Sequence, residues 1–158
     1  MRRNKYTLLI YLCLLQVVIL TACKQRTVYH HYEHTPLSGW EKNDSLQFNI
    51  DTIRTAGTYA EEIGVRINGT YPFMQLNLIV KQTVKPAMKT HSDTLTCHLI
   101  DEQGQTLGSG VSNYQYTFPV TTLQLSEGDC VEVSVRHDMK REILPGISDI
   151  GFRLRRQD

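Results

Sequence analysis

Apolar and polar residues alternate along most of this chain with a period of two, the repeat of a strand that buries one face and leaves the other in water. Leu46, Phe48 and Ile50 fall in one phase, with Gln47 and Asn49 in the other. Ile63, Val65 and Ile67 alternate with Gly64 and Arg66, and Met74, Leu76, Leu78 and Val80 follow the same rule. So do Leu95, Cys97 and Leu99, then Val131, Val133 and Val135, then Ile150, Phe152 and Leu154. Turn-forming residues separate the runs: Asn43-Asp44, Asn68-Gly69, Glu102-Gln103-Gly104, Glu127-Gly128-Asp129 and Pro145-Gly146. Glu61-Glu62 gives a weak helical hint, but the strand phase runs through it. About eight or nine short strands with frequent turns predict an all-β fold. The expected architecture is a single antiparallel β-sandwich, jelly-roll-like or immunoglobulin-like.

The start of the chain breaks this pattern. Arg2, Arg3 and Lys5 precede the 14-residue run Thr7 to Leu20, in which only Thr7 and Gln16 are strongly polar. That run is too short to span a bilayer comfortably and has the length of a signal-peptide core. Leu20-Thr21-Ala22-Cys23 follows and resembles the bacterial lipobox, where two small residues fit a tight peptidase groove and the cysteine thiol carries the acyl chains. Residues 1–22 are therefore expected to be a removable signal peptide, Cys23 the site of lipid attachment, 23–27 a tether and 28–158 the sandwich domain. Each buried acyl methylene contributes about 0.8 kcal/mol and one chain alone holds poorly, so a cysteine with two or three chains anchors the protein without spanning the membrane. Lys24 stands where some lipoproteins carry the aspartate that retains them at the inner membrane, so the expected location is the periplasmic face of the outer membrane.

Removing that segment changes the charge. The 158-residue chain has a formal net charge of +1, and the loss of Arg2, Arg3 and Lys5 leaves 14 basic against 16 acidic residues. No basic tail points to nucleic acid. Length is that of one domain.

Candidate chemistry is sparse. Val28-Tyr29-His30-His31-Tyr32-Glu33-His34 invites a metal reading, yet on a strand His30 and His31 point to opposite faces, and His30 and His34 stand about 13 Å apart. An edge strand at the start of the sandwich is the expectation, with no metal and no cofactor. Cys97 and Cys130 remain once Cys13 leaves and Cys23 is lipidated. A disulfide between them is weighed against two separate thiols, because Cys97 shares the apolar phase whereas Cys130 shares that of Glu132 and Arg136. Gly108-Ser109-Gly110 lacks the spacing of a nucleophile elbow, and no phosphate loop or paired-histidine helix occurs. No enzyme is expected. Trp40, Tyr71, Phe73, Tyr114 and Tyr116 leave an alternative open, a carbohydrate-binding jelly roll with a glycan on exposed aromatics.

A longer pattern is more specific. His137-Asp138-Met139-Lys140-Arg141-Glu142-Ile143-Leu144-Pro145-Gly146-Ile147-Ser148-Asp149-Ile150-Gly151 places a methionine and a basic residue before a Leu-Pro-Gly-Ile turn and an Asp-hydrophobic-Gly at the last strand. Tyr32, Trp40 and Phe48 precede it, as do Arg66 with Tyr71-Pro72-Phe73, and Ser92-Asp93-Thr94-Leu95 with Asp101-Glu102, Gly104, Leu107-Gly108 and Gly110. In this order the blocks resemble the gliding-motility lipoprotein GldH family, over nearly the whole chain after the signal. The resemblance implies a non-enzymatic outer-membrane lipoprotein of the gliding apparatus and the type IX secretion system associated with it, acting through contacts with other envelope proteins. The turn region Leu144, Pro145, Gly146 and Ile147 is the candidate partner contact, being apolar on a loop and fixed in shape by proline and glycine, and is weighed against a turn folded back onto its own core.

Overall fold

The computed structural model describes residues 27–157; the expected signal peptide and Cys23 lie outside them. The strands are β1 (Thr27–His34), β2 (Trp40–Glu41), β3 (Leu46–Ile50), β4 (Gly57–Asn68), β5 (Gln75–Lys85), β6 (Lys89–His98), β7 (Asn113–Leu125), β8 (Cys130–His137), β9 (Ile143–Leu144) and β10 (Ile147–Arg156). Two four-stranded sheets, ordered β1-β10-β4-β7 and β3-β8-β5-β6, pack face to face, and β2 pairs with β9 in a short ladder. Every pairing is antiparallel. Placing β10 between β1 and β4, and β8 between β3 and β5, is the strand order of two nested Greek keys. The sandwich is thus a jelly roll rather than an immunoglobulin type.

The period-two phase sets the core. Tyr59, Ile63, Val65 and Ile67 of β4 and Ile150, Phe152 and Leu154 of β10 face Phe48 and Ile50 of β3, Leu76, Leu78 and Val80 of β5, and Val131, Val133 and Val135 of β8, all buried. The Phe48 and Phe152 rings meet across the sheets at 5.9 Å between centroids. Each such side chain contributes about 1.5–3 kcal/mol by leaving water. Met74 departs from its expected phase and is half-exposed, because β5 begins one residue later, at Gln75.

Strand directions define two ends. Thr27, the 51–56 loop, the β5–β6 hairpin tip at 86–88, the 126–129 turn and Arg155–Gln157 form the end at which β1 begins, called the anchor end after the tether expected to precede it. The 35–39 loop, the 69–74 turn, the 99–112 loop and the 138–147 segment lie at the opposite, distal end.

The register also keeps the two cysteines apart. Cys97 pairs with Leu76 near the start of β5 and Cys130 with Lys85 at its end, nine residues or about 30 Å along one strand. A disulfide needs Cα atoms within roughly 7 Å, and both residues are free thiols. Cys97 is buried and its thiol is pushed up to about 12 by burial, whereas Cys130 is partly exposed beside Thr52. A thiol reagent should therefore modify Cys130 in the native protein and reach Cys97 only after denaturation. Two thiols that appear only on reduction would overturn this arrangement.

Candidate functional site

Tyr32 begins the distal site. It stands opposite Gly151 on β10, which in turn pairs with Gly64 on β4, so two neighbouring strands lack side chains on the outer face. The Tyr32 ring fills that gap: a Cβ on Gly151 would come within 2.6 Å of it, and one on Gly64 would overlap the same ring. Both glycines are buried beneath it. Arg66 closes over the ring from β4, its Cζ 3.8 Å from the centroid, while its Nε donates to Gln115 Oε1 at 3.1 Å. Such a stacked guanidinium contributes about 0.5–1 kcal/mol at an exposed site. Asp149, largely buried, lies 3.9 Å from Arg66 on the far side and contacts the His34 imidazole. Tyr32, Arg66 and the Asp149-Ile150-Gly151 end of the sequence pattern thus share one corner.

The Leu-Pro-Gly-Ile turn packs directly on the Tyr-Pro-Phe block. Gly146 adopts φ +80°, and a Cβ there would overlap the backbone of Thr70 and Tyr71. Its carbonyl accepts the Asn68 N–H at 2.9 Å. Tyr71 in turn donates to the Gln75 carbonyl at 2.9 Å and meets Phe73 edge to face. Leu144 pairs with Trp40 in the β2–β9 ladder. Trp40 is fully buried against His137, 5.2 Å between ring centroids, and its carbonyl accepts a bond from His137 Nε2 at 3.1 Å. Burial lowers the His137 pKa, partly opposed by that bond, so the ring is neutral with its proton on Nε2 and Nδ1 facing the Met139 N–H. Lys42 donates to the Met139 carbonyl at 2.9 Å, tying the 138–142 segment down.

At the candidate contact turn, Leu144 and Ile147 are 0% and 5% exposed, since each begins or ends a strand and turns inward onto the core. Pro145 and Gly146 remain at the surface of the turn, beside a cavity of about 400 Å³ that also meets Pro36, Leu37 and Thr70. The open apolar side chains are different ones: Leu37 in the 35–39 loop, Ile143 in β9, and Met74, Leu107 and Val111 on the neighbouring distal loops. Ile143 lies over Gly39, where a Cβ would come within 2.5 Å of its Cγ2. Of the aromatics named for the glycan alternative, Trp40, Tyr71 and Tyr116 are buried, whereas Phe73 and Tyr114 are half-buried.

The histidine segment forms β1, an edge strand. His31 bonds Glu33, His34 contacts Asp149 and His30 packs on Tyr32, each with a different partner. Among the described residues no three His, Cys, Asp or Glu side chains converge as metal ligands would.

One residue escaped the sequence reading. Glu61 lies inside the sandwich at 1% exposure, where Gln82 Nε2 donates to it at 2.8 Å and also to Asp93 at 3.1 Å. Glu61 Oε1 and Gln82 Oε1 are buried without hydrogen-bond partners. Burial raises the Glu61 carboxyl to about 7, with Asp93 adding to the rise and the Gln82 bond opposing it. The signal was present, since Glu61 is in phase with Tyr59, Ile63 and Val65.

With this geometry in hand, known proteins offer a comparison. Residues 27–154 match a family model described as GldH lipoprotein. A gliding motility lipoprotein GldH homolog of Christiangramia forsetii is 25% identical over 94% of this chain and 96% of its own. The gliding motility lipoprotein GldH of Flavobacterium johnsoniae is also 25% identical, over 92% of this chain and 94% of its own. Among solved structures, the globular domain of zebrafish complement 1qA aligns with a TM-score of 0.47 at 13% identity, covering 85% of this chain and 98% of that one.

Proposed function

Because the chain belongs to the GldH lipoprotein family, we propose that it is an outer-membrane lipoprotein, held by acyl chains on Cys23 after loss of residues 1–22, that works as a protein-contact part of a gliding or type IX secretion assembly. The observation that carries this reading is the uneven placement of exposed apolar side chains. Of the seven exposed large hydrophobic side chains among the described residues, five (Leu37, Met74, Leu107, Val111 and Ile143) lie at the distal end, where the blocks around Tyr32, Arg66, Tyr71, Gly146 and Asp149 converge, and two, Val28 and Met88, at the other. Exposed apolar groups gathered on one side of a polar domain favour association with another protein. The end joined to the tether would face the periplasmic leaflet, which leaves the distal end to meet other envelope proteins.

Crosslinking in intact cells, followed by capture of the tagged protein and mass spectrometry, tests the reading. Recovery of outer-membrane barrels or envelope lipoproteins is expected, with at least a severalfold loss for a Leu37→Glu, Ile143→Glu double variant that still folds. Capture of no envelope protein by the native chain would sink it. Cys23→Ser should abolish incorporation of labelled palmitate and release the chain from membranes. A variant that remains labelled would refute the anchor at Cys23.

A further inference from the structure

The geometry points to a membrane-contact surface at the anchor end, with a pocket there that receives the anionic headgroup of a phospholipid from the bilayer that holds the chain. This rests on the reading of Cys23 as the lipid anchor. Only Lys24, Gln25 and Arg26 separate Cys23 from Thr27, where β1 begins, so the end of the sandwich lies within about 14 Å of the acylated residue. A surface held that close meets headgroups.

What stands at this end suits them. A cavity of about 510 Å³ opens beside the start of β1, walled by Val28, Tyr29, Ile50 and Tyr59. Arg54 and Arg156 share its lining with Asp51, and Arg54 is exposed with no ion-pair partner among the described residues. Apolar walls beside two guanidiniums suit a glycerol backbone and its phosphate, because arginine matches phosphate with a planar pair of donors. The hairpin tip repeats the combination. Met88 is 63% exposed and is flanked by Lys85 and Lys89. Among the described residues, Val28 and Met88 are the exposed large hydrophobic side chains of this end, Val28 sharing the pocket lining with Arg54 and Arg156 and Met88 lying next to Lys89. Residues 27–28, 51–56, 85–89, 126–130 and 155–157 together hold five Lys or Arg against three acids, Asp51, Glu127 and Asp129, with Lys85 also paired to Glu132 and Arg155 to Glu62. Asp129 already accepts the Ser126 N–H. Short apolar groups ringed by cations are what binds at an anionic bilayer interface, where a lipid anchor also needs a second, weaker attachment.

Hydrogen exchange of the full, lipidated protein reconstituted in phosphatidylethanolamine vesicles, with and without phosphatidylglycerol, tests this. Amides in 51–56 and 86–89 should exchange severalfold more slowly when phosphatidylglycerol is present, and an Arg54→Glu, Lys89→Glu variant should lose that difference. A distal Lys140→Glu variant should keep it. Equal exchange in the two vesicles, with the N-terminal peptide shown by mass to be acylated, would overturn the membrane surface while leaving the anchor intact. An N-terminal peptide without acyl chains would instead overturn the anchor. Equal protection by glycerol phosphate in detergent would make this a site for a soluble anion and also overturn the inference.

Discussion

Gly146→Ala is expected to destabilise the protein by about 3 kcal/mol or more. Two causes act together. The residue sits at φ +80°, which costs an L-residue about 1 kcal/mol, and the new Cβ would overlap backbone atoms of Thr70 and Tyr71 rather than a side chain that can swing away. Relief requires the 145–147 turn to lift from the 69–71 turn, breaking the bond from Asn68 N–H to the Gly146 carbonyl. The chain's single tryptophan, Trp40, is buried in the adjoining ladder and reports that region by fluorescence during denaturant unfolding. Gly128→Ala separates the causes, because φ is +93° there but nothing lies near the added carbon. It should cost only about 1 kcal/mol. Equal midpoints for Gly146→Ala and the native chain would refute the close packing of the two turns.

Glu61→Gln is expected to stabilise the sandwich at neutral and alkaline pH by up to about 3 kcal/mol, and to do little in acid. The folded carboxyl titrates near 7 against 4.5 for the ordinary group, so the native state holds its proton more tightly than the unfolded chain does. Below pH 4.5 both states are protonated and nothing is lost. Between 4.5 and 7 the unfolded state releases the proton first, so stability falls as pH rises, and above 7 the loss is complete. Glutamine does not titrate, and its amide can donate to the Gln82 Oε1 that now lacks a partner while still accepting from Gln82 Nε2. Asp93 of β6 faces the same group in both proteins, so the difference between the two stability–pH curves isolates Glu61. Parallel curves from pH 4 to 8 would show that this carboxyl is not held neutral in the core.

The strands themselves were legible because alternation is a local property. Phe48, Ile63, Leu78, Val133 and Phe152 each occupy the face that their neighbours' phase assigns. Which strands pair was not legible, since β10 inserts between β1 and β4, pairing residues 80 to 128 positions apart in the sequence. The distal corner failed in a specific way. Leu144 and Ile147 flank a turn, where the phase of one strand ends and that of the next has not begun, so an apolar residue there can point either way. Tyr32 over Gly64 and Gly151 requires three strands to be adjacent, which no spacing in the sequence announces. Glu61 is the opposite case. Its phase pointed inward, and only the habit of placing acids in water argued against it.

The seating of Tyr32 has a mechanical consequence. β1 is the strand at which the proposed tether would join, and a pull between a bilayer anchor on Cys23 and the distal end would run along its axis. Its bonds to β10 lie across that axis, so they bear load together in shear instead of opening one after another. For β1 to slide, the Tyr32 ring would have to ride out of its glycine trough and over Arg153 or Asp149, the next outward side chains on β10. The trough works as a detent. It sets the force at which the chain yields, in a protein whose relatives are named for movement.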